Sequence, residues 1–290
     1  MGGGGLPAGR GRAYGLCRYH AKVGYVEQRP KDADMQDLDK TPYSLRNEVV
    51  LITGGGTGIG LAVAQVMVGL GARVVLAGRR AEPLREATEQ LGARADFRVH
   101  DVTDFEAGAT LVEDLERQYG HVTCLVNNAG IHLRKAAERV DEQEFRRLLD
   151  VNLLGGFSLA RHMAPHMMEQ GRGSILFMAS MASLFGLPYV VAYSAAKSAL
   201  LGMIRTLAVE WSARGVRVNA IAPGFIDTEM LRAATEADPA RRDRILERTP
   251  VGHFGKPEDV AWAAAFLTSP AARFITGVCL PVDGGVSIGF

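Results

Sequence analysis

Hydrophobic positions in this chain fall into two alternating patterns that begin only after about residue 45. One pattern is a short unbroken apolar run, as in Glu48-Val-Val-Leu-Ile-Thr53, with the composition of a strand buried on both faces. Further runs of this kind are Arg73–Ala77, Asp96–His100, Val122–Val126, Gly173–Met178 and Val216–Ile221. Between them lie stretches of helical length and composition: one opening at Leu61, then Glu82 to Leu91, Phe105 to Tyr119, Glu142 to about Gln170, and one spanning Tyr193. Strands and helices alternating at this spacing need right-handed crossovers. The prediction is therefore an α/β fold, a doubly wound parallel sheet with helices on both faces. Ligands of such sheets lie beyond the carboxyl ends of the strands.

Residues 1–44 carry no such periodicity and open on Met1-Gly-Gly-Gly-Gly5, so they read as a disordered extension ahead of a single domain, 45–290. Six basic residues against Glu27 between Arg10 and Lys31 raise the thought of a transit peptide. The absence of serine there and the many glycines argue against it. A functional start at Met35 is a third reading.

Composition narrows the function. A net charge of +1 gives no broad field toward nucleic acid or an anionic membrane, so affinity must come from a local site for a small molecule. No run of 18 apolar residues offers a membrane span. Cys17, Cys124 and Cys279 are too scattered for a disulfide framework or a metal site, which fits a cytoplasmic protein. No histidine or carboxylate cluster has ligand spacing, and no metal is expected. His162 and His166, one helical turn apart, sit among Met163, Met167 and Met168 and read as part of a packed or subunit-facing helix.

Three local patterns carry chemistry. Gly54-Gly-Gly-Thr-Gly-Ile-Gly60 closes the first strand and opens a helix, the context in which backbone N–H groups meet a pyrophosphate; a bare tight turn is the alternative. About twenty residues on, an NAD site would place a carboxylate for the ribose 2′-hydroxyl. Gly78 is followed here by Arg79 and Arg80, two guanidiniums suited to a 2′-phosphate, unless they merely begin a solvated helix. Tyr193 and Lys197, spaced i, i+4, present their polar ends on one helical face. A phenol titrates near 10, so acid–base work near neutrality needs a depression of about three pH units, or about 4 kcal/mol, much of which a nearby ammonium can supply.

Thr53-Gly54-x-x-x-Gly58-x-Gly60, Asn127-Asn128-Ala129-Gly130, Ser180, Tyr193-x-x-x-Lys197 and Pro223-Gly224 together resemble the short-chain dehydrogenase/reductase family over about residues 45 to 290. The motifs follow the family's order and spacing, including the thirteen-residue step from Ser180 to Tyr193. The resemblance implies a single-domain Rossmann fold, usually a homotetramer, that moves hydride between a nicotinamide dinucleotide and an alcohol or carbonyl carbon. It casts Tyr193 as proton donor or acceptor and Ser180 as hydrogen-bond partner of the reacting oxygen. Lys197 would stabilise the tyrosinate and hold the nicotinamide ribose, and Asn152 would hold a water linking Lys197 to solvent.

For the cofactor, the resemblance implicates Gly54, Thr57, Gly58, Ile59, Gly60, Asn128, Ala129, Gly130, Tyr193, Lys197, Pro223, Gly224, Ile226 and Thr228. Asp101 and Val102 match an adenine contact, though Asp101 also reads as a helix N-cap. Arg79 and Arg80 resemble the NADP-preferring subgroups, with NAD as the alternative; Thr57 stands where those subgroups carry a second basic residue. Asp283-Gly284-Gly285 matches the family's C-terminal pattern and reads as structural.

The segment from Phe225 to Thr249 reads as a lid over the substrate, with Ile131, His132, Met181, Phe185, Leu187 and Phe225 as candidate pocket residues. The pattern from Gly186 to Gly285 looks most like gluconate 5-dehydrogenases and related sugar-acid or polyol dehydrogenases. Rivals are a 3-oxoacyl-acyl-carrier-protein reductase and, in another class, an idle dinucleotide-binding sensor or subunit.

Overall fold

A computed structural model describes residues 1–2, 41–229, 231–232 and 238–289. The proposed extension, with Met35 and Cys17, falls almost entirely outside the described residues. Residues 41–44 already touch the domain: the Pro42 carbonyl accepts from Ala271 N at 2.9 Å, and the Tyr43 ring lies 6.3 Å from that of Phe266.

The first apolar run forms β1 (Val49–Thr53), and the glycine turn leads into α1 (Gly58–Gly69). The chain continues through β2 (Arg73–Gly78), α2 (Ala81–Leu91), β3 (Ala95–Val99), α3 (Phe105–Tyr119) and β4 (Cys124–Asn127). After α4 (Glu142–Leu149), a π-helical stretch (Asp150–Leu154) and α5 (Gly155–Glu169) come β5 (Gly173–Met178), α6 (Val191–Trp211) and β6 (Val216–Pro223). The chain closes with α7 (Pro239–Glu247), α8 (Pro257–Thr268) and β7 (Cys279–Val282). The strands form one seven-stranded sheet, β3-β2-β1-β4-β5-β6-β7, and the recorded pairings are all parallel. Strand order reverses between β1 and β4, which is where a doubly wound sheet opens its ligand crevice.

Alternation along each strand feeds two cores. Leu51, Val75, Leu125 and Phe177 point to one face, under α3, α5 and α6; Val50, Ile52, Leu76 and Val126 point to the other, under α1 and α8. Burial on both faces explains why these strands are continuous apolar runs rather than alternating ones.

The structure departs from expectation in two places. The helix expected from Glu142 to about Gln170 is interrupted by the π turn at Asp150–Leu154. Its causes are tertiary: a Cβ on Gly155 would lie 2.7 Å from the Val102 carbonyl oxygen, and the Asn152 amide is drawn to Ile131. The last strand, β7, was not among the expected runs. It carries Pro281 and pairs only with β6, as an edge strand tolerates.

Gly60 shows how tightly the turn is closed. A Cβ there would stand 2.2 Å from the Gly54 carbonyl oxygen and 2.6 Å from Asn128 Nδ2, against backbone that cannot yield. Gly60→Ala is expected to destabilise the protein by about 3 kcal/mol or more. Thermal denaturation would register this as a drop in Tm of roughly 6–12 °C, together with loss of ligand binding at the turn.

Candidate active site

The carboxyl ends of β1 and β4 are tied together by one hydroxyl. Thr53 Oγ1 accepts from the N–H groups of Asn128 and Ala129, both at 3.0 Å. Asn128 Nδ2 donates to the carbonyls of Thr53 (3.0 Å) and Gly54 (3.1 Å). Asn128 thus holds the glycine turn from behind and does not line the cleft itself. Thr53 served the sequence reading only as the edge of a motif. A hydroxyl-bearing residue ending an apolar strand beside glycine was the available signal.

The cleft at the reversal point is lined by Gly54, Gly56, Thr57, Ala129, Gly130 and Val102 on its inner side and by Arg79, Arg80 and Asp101 toward its outer end. His100, Ile131, Pro83, Leu84 and Val151 also line it, without having been expected as cofactor residues. Thr57 is the N-cap of α1 but makes no side-chain cap, so it leaves first-turn amides for a ligand. These amides, the close-packed glycines and two exposed guanidiniums fit a phosphorylated dinucleotide. Among the described residues neither Arg79 nor Arg80 is in an ion pair; the nearby Glu82 is paired with Arg85.

Gly58, Ile59 and Gly60 lie along the start of α1 rather than on the cleft wall. Thr228 approaches that start, its Cγ2 3.8 Å from where a Gly58 Cβ would stand. Pro223 ends β6, Gly224 N donates to the Val282 carbonyl at 2.9 Å, and Ile226 forms a bridge with Gly255. None of these four lines the cleft.

Asp101 is not a helix N-cap. The N-cap of α3 is Asp104, which accepts from Ala107 N at 3.0 Å. Asp101 Oδ1 instead accepts from the Thr103 amide (3.0 Å) and hydroxyl (2.8 Å). The Thr103 amide bond, with the hydroxyl and the Arg79 charge assisting, outweighs burial and keeps the Asp101 carboxyl below its usual range.

Deeper along the sheet, β5 and α6 bring together the pairs read from the sequence. Ser180 follows β5, is buried, and accepts from Ala182 N at 3.1 Å. The Ser180 hydroxyl lies near enough to the Tyr193 phenol to favour its charged form. Lys197 is fully enclosed; its Nζ donates to the Met178 carbonyl at 2.6 Å and lies 5.8 Å from the Tyr193 ring centre. Asn152, carried by the π turn, accepts from Ile131 N (3.2 Å) and donates to the carbonyls of Ile131 (2.9 Å) and Leu148 (3.1 Å). A Cβ on Gly130 would come within 2.7 Å of Asn152 Oδ1 and 3.7 Å of Lys197 Nζ, so glycine is what lets β4 reach this group. Both Asn152 amide hydrogens are engaged. A water held here must use the remaining Oδ1 lone pair or a carbonyl released by the π turn.

Burial dominates the electrostatics of this group. Burial pushes the Tyr193 phenol up from its ordinary value, and the Ser180 hydroxyl only partly offsets it. Burial alone lowers Lys197 from 10.5 to about 8. A low-dielectric pocket penalises both charged forms, and for Tyr193 in the free protein burial is the larger influence, so the phenol stays protonated.

Among the expected pocket residues, the His132 ring packs against that of Tyr193 at a 58° tilt with ring centres 4.9 Å apart, Met181 is buried, and the Arg248 guanidinium lies 5.7 Å over the Phe185 ring. Of the expected lid, residues 230 and 233–237 lie outside the described residues, while α7 forms its far side. Among the described residues no group of His, Cys, Asp and Glu has the arrangement of a metal site, and Cys124 and Cys279 are free thiols that burial pushes upward, Cys279 to about 11. No helix there is long and apolar enough to cross a membrane.

A family model described as enoyl-(acyl carrier protein) reductase matches residues 54–287. Gluconate 5-dehydrogenase of Gluconobacter oxydans is 36% identical over 249 residues, 85% of this chain and 97% of that protein. A 3-oxoacyl-[acyl-carrier-protein] reductase of Thermotoga maritima is 37% identical over 84% of this chain and 99% of its own length. Among solved structures, a protein provisionally assigned as an NAD(P)-dependent gluconate 5-dehydrogenase from Beutenbergia cavernae, with NADP at low occupancy, superposes with a TM-score of 0.81. It is 40% identical and covers 85% of this chain and 99% of its own.

Proposed function

Given that the chain belongs to the short-chain dehydrogenase/reductase family, and so is an NAD(P)-dependent oxidoreductase of CH–OH and C=O groups, we propose that it transfers hydride between NADP(H) and a small sugar acid, polyol or related hydroxy compound. The observation that carries this is the grouping of Tyr193 with Ser180, Lys197 and Asn152 beside the glycine-lined cleft.

When bound, the dinucleotide supplies or accepts the hydride. Tyr193, held neutral by burial, gives its phenolic proton to the substrate oxygen during reduction and takes it back during oxidation. Because the Ser180 oxygen is already held by Ala182 N–H, its own proton is free to turn toward the same oxygen and stabilise charge developing there. Lys197 spends one N–H on Met178, which leaves donors for the cofactor ribose and the tyrosine. Asn152 anchors the loop after β4 and the relay that refills Tyr193.

Arg79 and Arg80, exposed on the cleft and in no ion pair among the described residues, support NADP over NAD, as do the two NADP-bearing relatives from Beutenbergia cavernae and Agrobacterium tumefaciens. Arg79→Ala should raise the NADPH Kd about tenfold or more and leave the NADH Kd within about twofold. Fluorescence titration with both cofactors measures this, and equal losses for the two would argue against the assignment. Exposed Phe274, Trp262 and Val209 support self-association, which we take to be a cytoplasmic homotetramer.

A second reading, reduction of an oxoacyl group on acyl carrier protein, is favoured by the Thermotoga maritima relative. A screen of NADPH oxidation against keto-sugar acids, neutral ketones and oxoacyl thioesters separates the two. Turnover of the thioesters alone would reject the sugar-acid reading, and no turnover with NADPH bound would favour an idle binding protein.

A further inference from the structure

Two guanidiniums near His132, the ring that packs against Tyr193, make no ion pair among the described residues. Arg134, after β4, lies with its Cζ 5.1 Å over the Tyr189 ring. Tyr189 is the non-glycine residue with positive φ (69°) among the described residues, and its carbonyl accepts from Lys135 N at 2.8 Å. A left-handed tyrosine is strained, and its cost is tolerated where it positions something; here it presents the ring that carries Arg134. Arg241 comes from the other side, on α7, half-buried, with its backbone N–H donated to Asp238 at 2.9 Å.

The cations next to this pair are neutralised. Lys135 pairs with Glu144 (2.6 Å), Arg232 with Asp227 (2.7 Å) and Arg244 with Asp238 (3.8 Å). Among the described residues Arg134 and Arg241 have no ion pair. They are close enough that, after burial, Arg134 is the next influence lowering Arg241. Both lower His132, again after burial, and the His132 ring packs at a tilt against that of Tyr193. The Arg134 charge weighs on Arg241 more than the Asp238 carboxylate offsets it, so two like charges near His132 cost stability, and an anion between them would relieve that cost.

We propose that Arg134 and Arg241 form a carboxylate-binding pair that makes the substrate an anionic keto or hydroxy acid rather than a polyol or neutral ketone. The inference rests on the hydride-transfer reading above. Guanidiniums bind carboxylate in a planar, two-point fashion, which would orient an acid with its carbonyl at Tyr193.

The test compares kcat/KM, with NADPH, for a series of keto acids including 5-ketogluconate, each paired with an uncharged counterpart, such as L-sorbose or the methyl ester. The keto acids are expected to be preferred, and Arg241→Gln and Arg134→Gln each to reduce the acid-to-neutral ratio about 10- to 100-fold, mainly through KM. NADPH affinity, followed by fluorescence, should stay that of the wild type. Equal or better turnover of the neutral members, or a ratio insensitive to both substitutions, would overturn the pair while leaving hydride transfer intact. Preference for an acetoacetyl thioester over every free acid would assign the arginines to a carrier's phosphate and overturn it too. No turnover of any member with NADPH bound would remove the hydride-transfer reading and the inference together.

Discussion

Tyr193→Phe is expected to lower turnover about 10²- to 10⁴-fold while NADPH binds as it does to the wild type. The substitution removes one oxygen. The neighbouring Ser180 keeps the hydrogen bond from Ala182 N, and the ring keeps its tilted contact with His132, so the pocket should hold its shape. What disappears is the proton that must reach the substrate oxygen as hydride arrives at carbon. Because the loss belongs to the chemical step, it should fall on kcat more than on KM. Stopped-flow measurement of NADPH oxidation, alongside a fluorescence titration, reads both quantities. A mutant that keeps wild-type kcat would remove Tyr193 from the role of acid.

Lys197→Met is expected to abolish useful activity and yet make the protein more resistant to heat. A fall from 10.5 to about 8 in the folded state corresponds to about 3 kcal/mol of destabilisation at neutral pH, with Lys197 fully enclosed. Methionine avoids that cost and fills similar space. It gives up the bond to the Met178 carbonyl, whose loss is worth about 1 kcal/mol. Burial outweighs the hydrogen bond, and the net gain of about 2 kcal/mol should raise Tm by roughly 4–8 °C. Removing a buried charge in favour of an apolar side chain often has this sign.

The pH dependence follows. Below pH 8 folded and unfolded chains both hold the Lys197 proton, so the gap between mutant and wild type is constant. Between pH 8 and 10.5 only the unfolded chain retains it, so wild-type stability rises relative to the mutant and the gap closes. Calorimetric scans of both proteins from pH 7 to 10 measure this. A mutant less stable throughout would mean that the contacts of Lys197 outweigh its burial.

The fold was legible because most of its strands are buried on both faces, which leaves unbroken apolar runs, and because the glycine turn sits where strand meets helix. The Tyr193/Lys197 spacing was legible for a similar reason: helical geometry alone puts them on one face. What escaped depended on contacts between distant parts of the chain. The π turn at Asn152 comes from Gly155 meeting Val102 and from the Asn152 amide bonding Ile131. The tie from Thr53 to Asn128 and Ala129 spans about 75 residues of sequence. Strand β7 was hidden by its proline, and the approach of Arg241 to His132 by more than a hundred intervening residues. Sequence spacing at Tyr193 reveals a neighbouring charge but not the burial that opposes it.

The central claim is that a hydride passes directly between a nicotinamide cofactor and substrate carbon beside Tyr193. Incubation with NADPH deuterated at the transferable C4 position, followed by mass spectrometry and NMR of the alcohol formed from a keto acid, tests it most directly. One deuterium per product molecule, on the carbinol carbon and at a single stereochemical position, is the predicted result. A product formed at normal rates without deuterium at that carbon would contradict it.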